Sequence, residues 1–277
     1  MTAGSVAAAP LEIPGPKTSP LHRFRYAAFV AFEMFVFFSI WQIAQDVFHF
    51  ATPVFLPTPT TITGTLVDMF ADGSMVEAIR TSAYHWLVGY SAALIVGVSI
   101  GLVMGTSRPF RKLVSPIAWS FYSTPYIWMQ PMLIIWFGFG SIPVIGLVFY
   151  AALMPIMLTT AAGAATVNED VVRAAKVYGI SGIALRRKVT IPATLPFITT
   201  GMRLAVPTSL IAVLVAEFLG GSAGLGRELA LSAAKFRVDQ IFAVIIVLVA
   251  ISTSMVVLFG LLEKRFAPWR TNQQAQE

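Results

Sequence analysis

Between Leu113 and Asn168 the chain runs for 56 residues without one Asp, Glu, Lys, Arg or His. A water-facing surface cannot be built from such a run, because the surface of a soluble fold carries charged side chains and a stretch this long would have to supply some of them. One membrane helix needs about 20 apolar residues, so the run holds two crossings. Gly138, Gly140, Ser141 and Pro143 mark the turn between them, and Pro116, Pro125, Pro131 and Pro155 are expected to kink or break the helices. Composition extends the argument to the whole chain: 57% of its 277 residues are hydrophobic, 12% are charged, and the mean hydropathy is +0.77. The apolar runs are continuous rather than alternating, which favours helices over a barrel. The expected fold class is an all-α membrane protein with about six transmembrane helices.

The other spans follow from the same reading. The first covers about Tyr26–Gln45, interrupted by Glu33, and the second about Ser82–Gly105. The fifth covers about Thr199–Leu219 with Pro207 inside it, and the sixth about Ile241–Leu262. Gly97, Gly101 and Gly105 fall four apart on the second span, a spacing that lets a neighbouring helix come close. Between the first two spans lies a short amphipathic run, Thr61–Phe70, with Thr60 or Thr61 placed to cap it. Residues 1–20 are small, polar and Pro-rich, and a disordered tail is expected to reach about residue 25, with the membrane domain over 26–266 and a second tail over 267–277. The basic group Lys17, Arg23 and Arg25 precedes an apolar run too long for a signal peptide and lacks a cleavage pattern.

Six spans put both termini on one side. With the N-terminal tail, the loop 106–112, the segment 167–203 and the C-terminus in the cytoplasm, all but Arg80, Arg227, Lys235 and Arg237 of the 19 Lys and Arg lie there. Basic residues are retained in the cytoplasm, so this orientation is expected. The same rule explains the net charge of +6 without nucleic acid. There is no cysteine, which excludes disulfides, thiolate metal sites and thiol catalysis.

The segment from Val167 to Pro196 is the longest charged interval in the apolar part of the chain, with Glu169, Asp170, Arg173, Lys176, Arg186, Arg187 and Lys188. Asn168 is placed to cap a helix whose first turn carries Glu169 and Asp170, where negative charge suits the dipole. Gly179 suits its end, Ser181 is placed to cap a second short helix, and Pro192 and Pro196 are expected to punctuate the return to the membrane. Two readings stay open on pattern alone: a knob that fits a partner's groove, or an amphipathic hairpin held on headgroups by Arg186, Arg187 and Lys188.

RAAKVYG, nine residues, then VTIP resembles the cytoplasmic signature of bacterial ABC importer permeases: Glu-Ala-Ala, three residues, Gly, nine residues, Ile-x-Leu-Pro. The match falls on Ala174, Ala175, Gly179 and Pro192, with Val189 and Ile191 at the branched apolar positions. WFGFG (136–140), AEFLGGSAGLG (216–226) and EKRFAPWR (263–270) resemble the nitrate/sulfonate/taurine subgroup. One position departs: Arg173 stands where the family usually has Glu, so Glu169 or Asp170 must supply the carboxylate or the partner's groove must differ. The resemblance implies a type I ABC importer permease-like fold and a coupling loop built on Glu169, Asp170, Arg173, Ala174, Ala175, Gly179, Val189, Ile191 and Pro192. It implies as partners cytoplasmic ABC ATPase subunits, an extracytoplasmic substrate-binding protein and a second permease subunit, in a bacterial inner membrane. No GxxxxGK[ST] phosphate loop is present, so no cofactor is expected on this chain, and ATP and Mg belong on the partner ATPase.

No nucleophile–base pair or metal cluster is visible, and His22, His49 and His85 show no ligand spacing, so the chain is expected to be a non-catalytic subunit. Ionisable residues within spans are costly toward lipid, which singles out Glu33, His85, Arg203 and Glu217. Glu217, beside a Gly-rich loop, is read as a gate or binding-protein contact, or else as a helix-end residue reaching water. Arg203 is read as snorkelling to headgroups and Glu33 as a structural contact. Trp119, Tyr122 and Met129 belong to an aromatic, Met-rich stretch that either lines the pathway or packs helices. The resulting expectation is the pathway-forming subunit of an ATP-driven importer for a small anion such as a sulfonate, taurine or nitrate. The alternatives are a pyrimidine precursor, bicarbonate or aromatic acid as solute, or a stand-alone secondary transporter.

Overall fold

A computed structural model describes residues 20–47, 52 and 54–266. The described residues are helical or lie in turns between helices, and the chain divides into two units at Thr60/Thr61. Of the N-terminal tail expected to about residue 25, residues 20–25 are helical instead, continuing the apolar helix that follows, while the first 19 residues and the tail over 267–277 lie outside the described residues.

In the first unit, α1 (Pro20–Asp46) is a long apolar helix whose phenylalanines Phe29, Phe32, Phe35 and Phe37 stand exposed, as a lipid-facing surface requires. Glu33 is exposed among them rather than tucked into a contact. The end of α1 is tied to the last residue of this unit: the Gln42 amide donates to Asp46 (2.7 Å) and Thr60 (3.1 Å) and accepts from the Thr60 N–H (3.2 Å).

The second unit carries the rest. α2 (Pro59–Ala71) begins on a proline, which needs no N–H at the first helical position, so neither Thr60 nor Thr61 caps it. α3 (Ser74–Thr106), α6 (Ser141–Ala165) and α9 (Ile191–Gly220) form the centre, with α6 between the other two. Glycine explains the intimacy of this packing. A Cβ on Gly101 would lie 2.6 Å from the Met157 carbonyl, and one on Gly105 would lie 2.3 Å from Ala164 Cβ. On the other side of α6, a Cβ on Gly201 of α9 would collide with Thr159 Oγ1. Lipid gives apolar helices no hydrophobic reason to associate, so the close approach of small residues is what holds them. The core beside the seam is Trp86, Tyr90, Leu147, Val148, Ile156, Val206 and Val213.

Among the described residues, five helices are long and apolar enough to cross a membrane. The crossing expected in the first half of the neutral run is not one continuous helix and is not among those five. α4 (Arg108–Ser123) stops at Thr124–Pro125, a 3₁₀ turn follows over Tyr126–Trp128, and the short apolar α5 (Met129–Phe137) comes after it. Pro116 lies inside α4 without ending it, and Pro125 makes the break. The carbonyls freed there are answered from nearby: Tyr150 Oη donates to Phe121 O (2.7 Å) and Thr124 Oγ1 to Ser120 O (2.9 Å).

Pro192 and Pro196 do not interrupt the chain either. α7 (Glu169–Val177) is followed by α8 (Gly182–Leu185), a π-helical turn over Arg186–Thr190, and then α9 without a gap. The Ile191 N–H reaches back five residues to Arg186 O. A π turn widens the helix just before Pro192, whose ring would otherwise press on the carbonyl four residues earlier. α10 (Leu225–Ala234) and α11 (Val238–Phe266) close the unit.

Candidate functional site

Two polar regions interrupt the apolar helices, one at each end of the α3–α6–α9 core. The first is the 167–192 segment. Asn168 caps α7 by accepting the Asp170 N–H at 2.7 Å, and Glu169 and Asp170 occupy the first turn. At the other terminus the Ile180 N–H bonds Ala175 O and the Gly179 N–H bonds Lys176 O, both at 2.9 Å. That pair of bonds is a Schellman closure, and it places Gly179 at φ 78, where an L side chain is strained. α7 is thus fixed at both ends although it is only nine residues long. Ser181 precedes α8, but its side chain makes no capping bond.

The helix buries Ala175 and leaves most of its other side chains to solvent. Val177 is 86% exposed and Tyr178 84%. Glu169, Asp170, Arg173, Ala174 and Gly179 are exposed, Val189 and Ile191 are half-buried, and Pro192 is exposed. The Arg173 guanidinium bonds Asp170 within the same helix, at 2.5 Å and in full contact with solvent. Such a surface pair contributes little to stability. Its consequence is electrostatic, since the positive charge of Arg173 is partly answered within the knob.

The second region is built on Glu217, which is 0% exposed and lies near the end of α9. Its carboxylate accepts from Ser82 Oγ (2.7 Å) and from the Gly226 N–H (3.0 Å), and meets His85 Nδ1 at 2.8 Å. Ser82 Oγ in turn accepts the Leu225 N–H at 2.8 Å, and His85 Nε2 meets Ser141 Oγ at 2.9 Å. One side chain therefore joins α3, the start of α6, the end of α9 and the start of α10. The glycines of the 220–226 loop make room for it. Gly224 has φ 112, and a Cβ there would lie 2.3 Å from Glu217 Cδ. The neighbouring turn is joined to this end by the Gly140 N–H on Gly220 O at 3.1 Å.

Glu217 is therefore neither a helix-end residue reaching water nor directly displayed to a partner; it is the fixed centre of a buried network. The other tentative pathway residues are not gathered around it. Trp119 and Tyr122 are half-exposed on α4 with their rings 5.7 Å apart, and Met129 packs on the core between α3, α6 and α9. Arg203 is exposed on α9. Sequence reasoning missed Ser82, Ser141 and the role of His85. The only available signal was a histidine and a carboxylate both lying inside spans, where neither is tolerated toward lipid. The order Ser141–His85–Glu217 is that of a hydrolase relay, yet the carboxylate here also holds a hydroxyl and a loop amide, as a structural tie would. Among the described residues, no group of three or more His, Asp or Glu is placed to hold a metal.

The description "Binding-protein-dependent transport system inner membrane component" fits residues 93–268, more than half of the chain. The taurine transport system permease protein TauC of Escherichia coli is 26% identical over 239 residues, covering 84% of this chain and 86% of that one. An aliphatic sulfonates transport permease, SsuC of Bacillus subtilis, is 28% identical, covering 86% of each chain. Among solved structures, the inward-facing MetNI methionine ABC transporter superposes with a TM-score of 0.58 at 20% identity, over 70% of this chain and 95% of that one. That likeness establishes the helical arrangement as the type I importer permease fold. Since the family match contains the 167–192 segment, Ser141 and Glu217 together, the chain belongs to the family of inner membrane components of binding-protein-dependent transport systems.

Proposed function

We propose that this chain forms the translocation pathway for a small sulfonate-type anion and transmits to it the conformational work of a separate ATPase. The observation that carries the reading is the 167–192 segment: a helix capped at both ends, presenting Val177 and Tyr178 outward beside a buried Ala175. A short rigid helix with exposed apolar anchors is what a groove on a soluble partner can grip and push. Residues 182–220 run without a gap from this knob through the core to Glu217, so a displacement of the knob has a stiff route across the membrane.

In this reading the knob and both termini face the cytoplasm, as the distribution of Lys and Arg favours. ATP and Mg are held by the partner, and two copies of this chain enclose the pathway. The loop held by Glu217 then faces the extracytoplasmic binding protein, with the buried carboxylate fixing the shape of the surface presented. The sulfonate class rests on the taurine and aliphatic sulfonate permeases among the relatives.

The test is uptake of labelled taurine and of a short alkanesulfonate by cells carrying this chain with its natural partners. Uptake that disappears when the partner ATPase is deleted, and co-purification of that ATPase with this chain, are the expected results. Uptake persisting without the ATPase sinks the coupling role. ATPase-dependent uptake of some other solute, with neither sulfonate taken up, leaves the coupling role standing and overturns the substrate.

A further inference from the structure

Against α7, on the face that carries Glu169, Val172 and Lys176, lies a cavity of about 490 Å³. Its walls are the end of α3, the start of α4, the end of α6, and α7 with the π turn after it. Four cations line it, Arg108, Arg111, Lys176 and Arg186, against one carboxylate, Glu169. Glu169, Val172 and Lys176 face it from α7 at positions i, i+3 and i+7, which is one helix face. Among the described residues, no ion pair within 4.0 Å engages Arg108, Arg111, Lys176 or Arg186.

Arg111 is held in place. Its guanidinium donates to Met104 O at 3.0 Å and to Gly105 O, the carbonyls that end α3. Those two bonds use two of its five N–H donors and leave three for another acceptor. The first turn of α4, a 16-residue helix, opens on the same wall and adds its positive end to the field. Four like charges around one cavity repel one another, and Glu169 offsets only one of them. Water weakens that repulsion; an anion in the cavity would replace it with attraction.

We propose that this cavity binds a tetrahedral oxyanion, a phosphate ester on a lipid headgroup or free phosphate, and that the bound anion braces this face of the coupling helix. Guanidinium groups match such anions with paired N–H donors, and a basic pocket among the cytoplasmic ends of membrane helices is suited to a phospholipid headgroup. The consequence for transport rests on the coupling role proposed above; the binding itself does not.

The test uses the full chain, without the ATPase, in nanodiscs of phosphatidylcholine or phosphatidylglycerol, with thermal unfolding as the readout. Inorganic phosphate is titrated into the phosphatidylcholine discs. A midpoint that rises with phosphate identifies a free anion, and one already raised in phosphatidylglycerol identifies the headgroup. In either case the combined Arg108→Gln, Lys176→Gln, Arg186→Gln variant should lose the response, its half-saturating concentration rising about tenfold or more, as lost charge-assisted bonds predict. Lys176→Gln alone, an exposed change that leaves the fold intact, should give a smaller shift in the same direction. Arg80→Gln with Arg227→Gln, at the other end of the core, should leave the response unchanged. No stabilisation by either source, or the same response in the triple variant as in the parent chain, overturns the site. Co-purification of the ATPase is scored separately, so failure of docking and failure of anion binding give different results.

Discussion

The two ends of the α3–α6–α9 core solve opposite problems with related devices. At the Glu217 end the polar groups of the network are turned inward, and one carboxylate ties α9 to α3 and to the start of α10 through contacts of 2.7–3.0 Å. At the 167–192 end the polar groups face outward, and what fixes α7 is its own caps. Both ends stop a short helix with the same Schellman pair of bonds. After α7 the left-handed position is Gly179; after α10 it is Phe236, at φ 56, closed by Arg237 N–H to Ser232 O and Phe236 N–H to Ala233 O. The difference teaches where this molecule holds its shape by tertiary ties and where it presents a preformed local shape to something else. A buried network resists movement of its members relative to one another, whereas a capped helix with little behind it can move as a unit.

The comparison is broken most directly at Glu217. Glu217→Leu leaves the Ser82 hydroxyl, the His85 ring and the Gly226 N–H without their acceptor in a buried place. Each buried group left unpaired costs about 1–3 kcal/mol, so a loss on the order of 3 kcal/mol or more is expected. Thermal unfolding of the purified chain and protease cleavage within 221–224 measure it. Glu217→Gln, which keeps the shape and one oxygen, should fall between. An unchanged midpoint in the leucine variant would mean that the network holds nothing.

Gly179→Leu tests the opposite end. Nothing lies within 4 Å of where its Cβ would stand, so the only folding cost is the left-handed backbone, about 1 kcal/mol. Membrane insertion and the unfolding midpoint should change little, while transport and co-purification of the ATPase fall sharply. Tyr178→Ala, which removes an 84% exposed ring, should reproduce the loss of partner with stability unchanged within about 0.5 kcal/mol. A variant that unfolds as readily as Glu217→Leu would erase the distinction between the two ends.

The two ends were not equally legible in the sequence. The knob is local: Asn168, Gly179 and the acidic first turn lie within twelve residues, and each follows a rule about one helix terminus. The α3 glycines were legible for the same reason, since a spacing of four repeats on one helix face. The Glu217 network has no such locality. Its side-chain partners lie 135 and 132 positions away, and no spacing rule pairs Ser82 or His85 with Glu217. Only the cost of an ion inside a membrane pointed there, and it identified the residue without its partners. The prolines misled for a related reason: Pro192 and Pro196 read as breaks, because the π turn that accommodates Pro192 is a hydrogen-bond pattern rather than a composition.

Phe236 gives a smaller effect in the opposite direction. Its left-handed backbone is strained for an aromatic residue and its ring is exposed, so Phe236→Gly should stabilise by about 1 kcal/mol, less the greater freedom glycine has when unfolded. A rise in the unfolding midpoint confirms that the Schellman closure, and not the ring, is what ends α10. If uptake falls while the midpoint rises, the exposed ring is a contact at that end, and the contrast between a tied end and a presenting end narrows.

The smallest effect lies at the start of α3. Asp72 accepts the Ser74 N–H at 2.8 Å, and its hydrogen bonds with the Ser74 side chain and backbone hold the carboxyl below the ordinary carboxylate range. A carboxyl lowered in the folded state stabilises fully above its unfolded value, about 3.9, and loses that contribution as pH falls through the folded value. Asp72→Asn should therefore lower the unfolding midpoint slightly at pH 5–7, and the gap between variant and parent should close as pH falls below about 4. The group is fully exposed, so salt should shrink the gap as well. A gap that stays constant from pH 7 to pH 3 would assign the effect to the neutral hydrogen-bonding capacity of the side chain rather than to its charge. The start of α3 would then be held, like the end of α7, by capping geometry alone.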